Sequence, residues 1–317
     1  LKNYSNSTKV NSVYEYSNKL SIEVAGIHLR NPLLLASGFL GISQEIFNRL
    51  YHEGLGAIVS KSISVSPLEG YKGPTVVSLG EKGYLNAIGL ANPGSDAFAN
   101  EINNNQTPLI VSIVGSSTSE FPKLISKFDK LNILGYEINL SCPHVAKMGM
   151  EVGDDPELVI KIIKTIKSKT KKPIIIKVGI GNTDILKLAT IIQESGADAI
   201  TAINTIRAMT INVETGMPIL SNKIGGLSGF PLKPIGVRCV YEISKKVNIP
   251  VIGCGGIFTW EDALEYILAG ATAIELGSVI GCEGLKAFNQ IKLGLIRYLE
   301  KKGYRNIKEI VGLAHQY

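Results

Sequence analysis

The stretch YEINLSCPHV, residues 136–145, runs as an apolar strand and then closes on an asparagine, a serine and a cysteine. A strand made only for packing ends on a turn residue. A thiol next to an amide instead places a proton-transfer group beside a paired donor and acceptor. Alternation along the strand puts Asn139 on the same face as Glu137, pointing into the space the strand lines, with Cys142 just past its end. Asn86 and Asn92 in NAIGLAN and Asn204 in INT stand at other strand ends or in their loops. Neutral amides suit a planar ligand carrying alternating carbonyl and N–H groups, although a single loop asparagine also serves a turn.

Charge and phosphate-type sites come next. Lys177 interrupts the apolar run IIIKVG, and a buried ammonium is costly unless it is paired. Two readings stay open: an ion pair across to Glu137 on the neighbouring strand, or a fixed positive charge facing an electron-rich cofactor edge. A flavin's N1–C2=O locus, which gains negative charge on reduction, is such an edge. Lys61 in VSKS is either a second fixed charge or a solvated strand-end lysine. GCGGI (253–257) and LGS (276–278) cluster backbone N–H groups near helix starts. Each alone is a tight turn; together they favour a bound phosphate monoester.

These groups need a scaffold that brings strand ends together. Eight short runs rich in β-branched residues supply it: LLLASG, GAIVSKS, PLIVSIVG, YEINLSC, PIIIKVG, DAITAINT, PVIGCGG and TAIELGS. Helical patterns such as PELVIKIIKTIKSKT and WEDALEYILAG lie between them. The alternation predicts an α/β fold, a (β/α)8 TIM barrel. An open doubly wound sheet would carry a Gly-rich fingerprint after its first strand, and ASGFLG is a poor match. The Gly-rich turns follow strands seven and eight, where barrels hold phosphate. SIEVAGIHLRNP (21–32) is expected to form an N-terminal hairpin plug at the barrel floor. Long loops follow strands 2, 4 and 6, and loops of that length usually carry function. Residues 1–20 form a polar arm, and 21–317 form one catalytic barrel domain.

The 317 residues carry a net charge of +6, spread with interleaved acids as on a solvated surface. The four cysteines form no C-x-x-C and no close pair, which argues against a disulfide framework or a metal site in this chain. No signal peptide or apolar membrane span is visible, so a cytoplasmic setting is expected, with no nucleic-acid or membrane partner.

NAIGLANPG, INLSCPHV, IIIKVG, INT, GGLSG, GCGGI and LGS occur in the order and spacing of the class 1 dihydroorotate dehydrogenases, and NIKEIVGLA resembles the family's closing segment. INLSCP together with NAIGLANPG is specific to the family, and NAIGLANPG and GGLSG resemble the two-subunit branch more than the single-subunit one. The resemblance implies FMN on the barrel's C-terminal face and oxidation of dihydroorotate to orotate in pyrimidine synthesis. By motif match, Cys142 is the base at substrate C5, while C6 gives hydride to flavin N5. Lys61, Asn86, Ala87, Ile88, Gly89, Leu90, Asn139, His144, Asn204 and Thr205 would hold the substrate, with Lys61 between flavin and substrate carboxylate. Ser37, Lys61, Ser62, Ser112, Asn139, Lys177, Ile203, Gly229, Gly255, Gly256, Gly277 and Ser278 would hold FMN. The implied assembly is a homodimer core with an electron-transfer subunit carrying FAD and an iron–sulfur centre.

Departures from the family pattern are His144 and Ser112, where asparagines usually contact substrate and flavin, and the segment AKMGMEVGDDP, in the position of the family's mobile cover. A tRNA dihydrouridine synthase would share the phosphate turns but should carry an RNA-binding extension with basic and aromatic clusters, which is not expected here. A non-redox barrel binding a sugar phosphate predicts a colourless protein.

Overall fold

The computed structural model describes residues 19–140 and 152–317. Eight strands close into a barrel: β1 (Leu33–Leu35), β2 (Ala57–Val59), β3 (Leu109–Ile113), β4 (Gly135–Asn139), β5 (Ile174–Val178), β6 (Ala199–Ala202), β7 (Val251–Cys254) and β8 (Ala271–Leu276). Each pairs in parallel with the next in sequence, and β8 closes on β1. Continuous apolar sequence is what this arrangement requires, because helices cover the outside and side chains fill the inside.

Helices α1 (Gln44–His52), α2 (Gly94–Glu101), α3 (Glu120–Phe128), α4 (Pro156–Lys167), α5 (Ile185–Glu194), α6 (Lys233–Lys246) and α7 (Trp260–Leu268) lie between the strands, and α8 (Val279–Glu283) and α9 (Lys286–Lys302) follow β8. Local chemistry sets their starts. The Asp155 carboxylate accepts from the Leu158 N–H with Pro156 in the first turn, and Thr259 and Asp262 form a reciprocal capping box. One hydrophobic core runs from Leu20 to Ile310.

Three pieces lie outside the repeat. Ile22–Val24 and Ile27–Leu29 pair as the expected hairpin, turning through Ala25 and Gly26 at positive φ. Its side chains Ile22, Val24, Ile27 and Leu29 join the core. The segments after β2 and β6 were expected as long loops; instead they pair with each other. Ile206–Met209, Ile224–Gly229, Gly83–Asn86 and Val76–Gly80 form a four-stranded antiparallel sheet beyond the strand C-terminal ends. Its small separate core is Leu85, Ala87 and Leu220. The third segment, after β4, carries Cys142 and His144, which lie outside the described residues, as do residues 1–18 of the polar arm.

Candidate active site

A cavity of about 480 Å³, counting its open mouth, sits at the C-terminal ends of β1, β5, β6, β7 and β8. Of the residues expected to hold a cofactor, Ser37, Lys177, Ile203, Gly229, Gly255, Gly256, Gly277 and Ser278 line it, together with Asn204 and Thr205. Sequence reading missed Ser228, Cys254 and Glu275 on the same wall.

The glycine turns have a steric reason. Gly256 stands at φ +70, and a Cβ there would lie 2.6 Å from the Lys233 backbone nitrogen. A Cβ on Gly277 would come within 3.0 Å of the Phe39 ring. Among the described residues, the backbone N–H groups of Gly256, Ile257, Gly277 and Ser278 meet no acceptor. Tyr266 fixes the first turn from below: its hydroxyl donates to the Gly255 carbonyl at 2.6 Å. No local pattern in the sequence marks Tyr266 for this.

Around the mouth runs a chain of neutral polar groups. Ser62 is its hub, with its Oγ 3.4 Å from Ser37 Oγ and 3.0 Å from Ser112 Oγ, while it accepts from Asn139 Nδ2 at 3.1 Å. Asn204 Nδ2 donates to Asn139 Oδ1 at 3.3 Å, and the Thr205 N–H donates back to Asn204 Oδ1 at 2.8 Å. Ser112, where the family pattern has asparagine, is fully buried, and its N–H donates to Ser60 Oγ at 3.0 Å. Lys61 stands between Ser60 and Ser62, its backbone N–H bonded to the Gly41 carbonyl. Burial lowers the pKa of its ammonium, and no charged neighbour among the described residues offsets that.

The strand Gly83–Asn86 hangs above this mouth. Asn86 Nδ2 donates to the Gly226 carbonyl at 3.1 Å, and the turn through Ala87, Ile88, Gly89 and Leu90 is held to the 70–71 segment by Tyr71 N–H donating to the Ile88 carbonyl. Gly89 and Leu90 both have positive φ. These five residues do not line the cavity. Asn92 is taken up by structure: its Oδ1 accepts from the N–H groups of Ser64 and Gly94.

Below the cavity Lys177 proves to be paired, and chiefly not with the neighbour expected. Its Nζ donates to Glu275 Oε2 at 2.6 Å, while Glu137 Oε1 is 4.0 Å away. Glu137 is the more distant because on β4 it is in register with Ile175, and the residue directly across from Lys177 is Asn139. Glu275, a carboxylate inside the apolar run TAIELGS, carried the same signal as Lys177. Burial works against the Lys177 ammonium, and the fields of Cys254, Glu137 and Glu275 with the hydrogen bond to Glu275 more than offset it, so its pKa is raised. Burial pushes the neighbouring Cys254 thiol up to about 12, so it stays uncharged at neutral pH. Among the described residues no group of His, Cys, Asp and Glu could hold a metal ion, and no helix is long and apolar enough to cross a membrane.

Comparison with known proteins gives a consistent set of similarities. The sequence model of the family described as Dihydroorotate dehydrogenase matches residues 19–299. A protein of Pyrococcus furiosus named dihydroorotate dehydrogenase B (NAD(+)), catalytic subunit, is 44% identical over 299 residues, covering 94% of this chain and 99% of the relative. Proteins of the same name from Archaeoglobus fulgidus and Geotalea uraniireducens are each 41% identical, over 302 and 298 residues, covering 94% and 92% of this chain and 99% and 97% of the relatives.

Proposed function

The chain belongs to the dihydroorotate dehydrogenase family, and from that premise we propose how it oxidises dihydroorotate to orotate in pyrimidine biosynthesis. The family is flavin-dependent, and we assign the flavin as FMN. The observation that carries this is the convergence on one cavity of the β7 and β8 glycine turns, with open backbone donors, and of Lys177 at the opposite end of need: phosphate at one side, a ring edge at the other. The donor set fits a flavin mononucleotide, and residues 21–317 act as its single binding and catalytic domain.

FMN, when bound, supplies the hydride acceptor for substrate C6 at its N5. The chain's own residues do the rest. Cys142 removes the proton at C5, a role assigned from the INLSCP motif. Asn139, Asn204 and Thr205 present amide and hydroxyl groups to the planar substrate, and the chain through Ser62 keeps them oriented. Lys61 offers its unoffset ammonium to the substrate carboxylate. Asn86 through Leu90 close the substrate side from above, His144 contributes one hydrogen bond, and Ser112 acts through Ser62 on the flavin side.

The name catalytic subunit, shared by the relatives, implies a partner subunit. We propose that it carries FAD and an iron–sulfur centre and docks on a homodimeric core, because this chain's cysteines at 142, 239, 254 and 282 form no cluster motif. The test is direct. The purified chain alone should be yellow and should bleach with dihydroorotate, yet leave NAD⁺ unreduced. Rapid NAD⁺ reduction without a partner would remove the need for that subunit, and a colourless protein would remove the flavin.

A further inference from the structure

Four polar side chains from four strands meet inside the barrel beneath the cavity: Glu137 on β4, Lys177 on β5, Thr201 on β6 and Glu275 on β8. Their exposures are 0, 4, 0 and 1%. Water therefore takes little part, and the donors can be counted against the acceptors. One hydrogen of the Lys177 ammonium is committed to Glu275 Oε2 at 2.6 Å, and the uncharged Cys254 thiol also faces Glu275. Thr201 Oγ1 lies 3.2 Å from Glu137 Oε2 and 3.3 Å from Glu275 Oε1, and its one hydrogen can serve only one of them. Among the described residues Glu137 Oε1 has no hydrogen-bond partner. With both carboxyls ionised, the cluster would hold two negative charges against one positive, and one hydroxyl hydrogen between two acceptors. A buried, unbalanced carboxylate is costly. One added proton balances the charge and the Thr201 hydrogen: Glu137 Oε2–H donates to Thr201 Oγ1, Thr201 donates to Glu275 Oε1, and Glu275 carries the single charge opposite Lys177. Glu137 Oε1 is then the carbonyl oxygen of an uncharged carboxyl, which costs less to leave unpartnered than a carboxylate oxygen.

We propose that Glu137 and Glu275 hold one proton between them through Thr201, so that Lys177 meets the flavin ring with one carboxylate behind it rather than two. The functional part rests on the flavin reading above. Lys177 and Glu275 both line the cavity, so the charge behind the ring is set here. A neutral ensemble of ammonium and one carboxylate lets the ring gain negative charge on reduction. A second carboxylate would oppose it, and an ammonium with none would favour it strongly. Glu137 and Glu275 are positioning residues, acting through Lys177. Burial and the field of Glu275 push the Glu137 carboxyl well above the usual carboxylate range, against the pull of Lys177, in agreement with the donor count.

The test has two arms. Infrared spectra of flavin-free protein at neutral pH, with ¹³C-labelled glutamate to identify the signal, should show a protonated-carboxyl C=O band. The band should vanish in Glu137→Gln, and also in Glu275→Gln, where Glu137 must ionise to replace the lost partner of Lys177. In flavin-loaded protein, each single variant keeps one carboxylate. It should hold the midpoint potential within a tenfold change of the reduced-to-oxidised preference, about 30 mV for a two-electron couple. The double variant leaves Lys177 unopposed and should exceed that limit upward. No band in the wild type, a band surviving either substitution, or a double variant no different from the singles would each overturn the proposal. Should Glu275→Gln fail to fold, the wild type and Glu137→Gln still decide the infrared arm. A protein that binds no flavin would instead overturn the functional reading while leaving the shared proton standing.

Discussion

Two lysines serve this barrel from different depths, and their surroundings differ in kind. Lys177, on the floor, brings its own counter-charge: Glu275 at 2.6 Å and Glu137 at 4.0 Å, all nearly inaccessible. Lys61, near the mouth between Ser60 and Ser62, has its pKa lowered by burial, with no carboxylate among the described residues offsetting it. A buried charge with a fitted partner belongs to the fold as well as to the site. A half-buried charge without one is finished by whatever anion arrives. The floor is therefore expected to fail as a unit when altered, and the mouth to fail one contact at a time.

The largest effect should come from breaking the floor. Lys177→Met strands Glu275 and should cost about 3–5 kcal/mol of stability, as removing one partner of a buried pair does. Adding Glu275→Leu removes the stranded charge and should recover most of that loss, whereas adding Glu137→Leu should recover little. Denaturant unfolding of the flavin-free protein reads all three, and the double-mutant cycle isolates the coupling. Recovery through Glu137 instead would make the 4.0 Å contact the true pair and reverse the account of the floor.

For the residue assigned as the base the expected loss is in rate. Cys142→Ser should slow flavin reduction by roughly two orders of magnitude or more, in line with removing a general base, while keeping FMN and orotate binding. An ordinary thiol titrates near about 8.5, so the wild-type rate should rise with pH and level off. Stopped-flow bleaching of the flavin across pH, with His144→Asn beside it, gives the decision. Full activity in the serine variant with collapse in the asparagine variant would move the base to His144.

The same contrast explains what could be read from sequence. The eight strands were legible because each is a short apolar run flanked by turn residues, a local signal. The glycine turns were legible because their position after the last two strands has a meaning in this fold. Lys177 was legible as an anomaly, but its main partner was not, since Glu275 lies 98 residues away and only barrel closure brings them together. The four-stranded sheet was missed for a like reason: Asn86 and Gly226 pair across 140 residues, and GGLSG alone reads as a flexible loop. Ser112 read as a departure at the flavin, and its bond to Ser62 emerged only with the strands in register.

The smallest effect concerns Lys61, and it tests whether the mouth awaits a ligand's charge. Burial places the folded-state pKa of this ammonium below its ordinary value of 10.5. Between the two values the unfolded chain binds more protons than the folded one, so stability rises with pH across that window. Lys61→Met removes this contribution, so the variant's stability relative to wild type should fall as pH rises through that window toward 10.5. Arg30 and Lys292 are also lowered by burial, but they remain in both proteins and cancel in the difference. Saturating orotate should flatten the difference, because a carboxylate beside Lys61 favours the ammonium and draws its pKa back up. Denaturant midpoints at matched pH, with and without orotate, measure this. A slope that orotate leaves unchanged would mean that the ligand's carboxylate lies elsewhere and that Lys61, like Lys177, serves something already built into the chain.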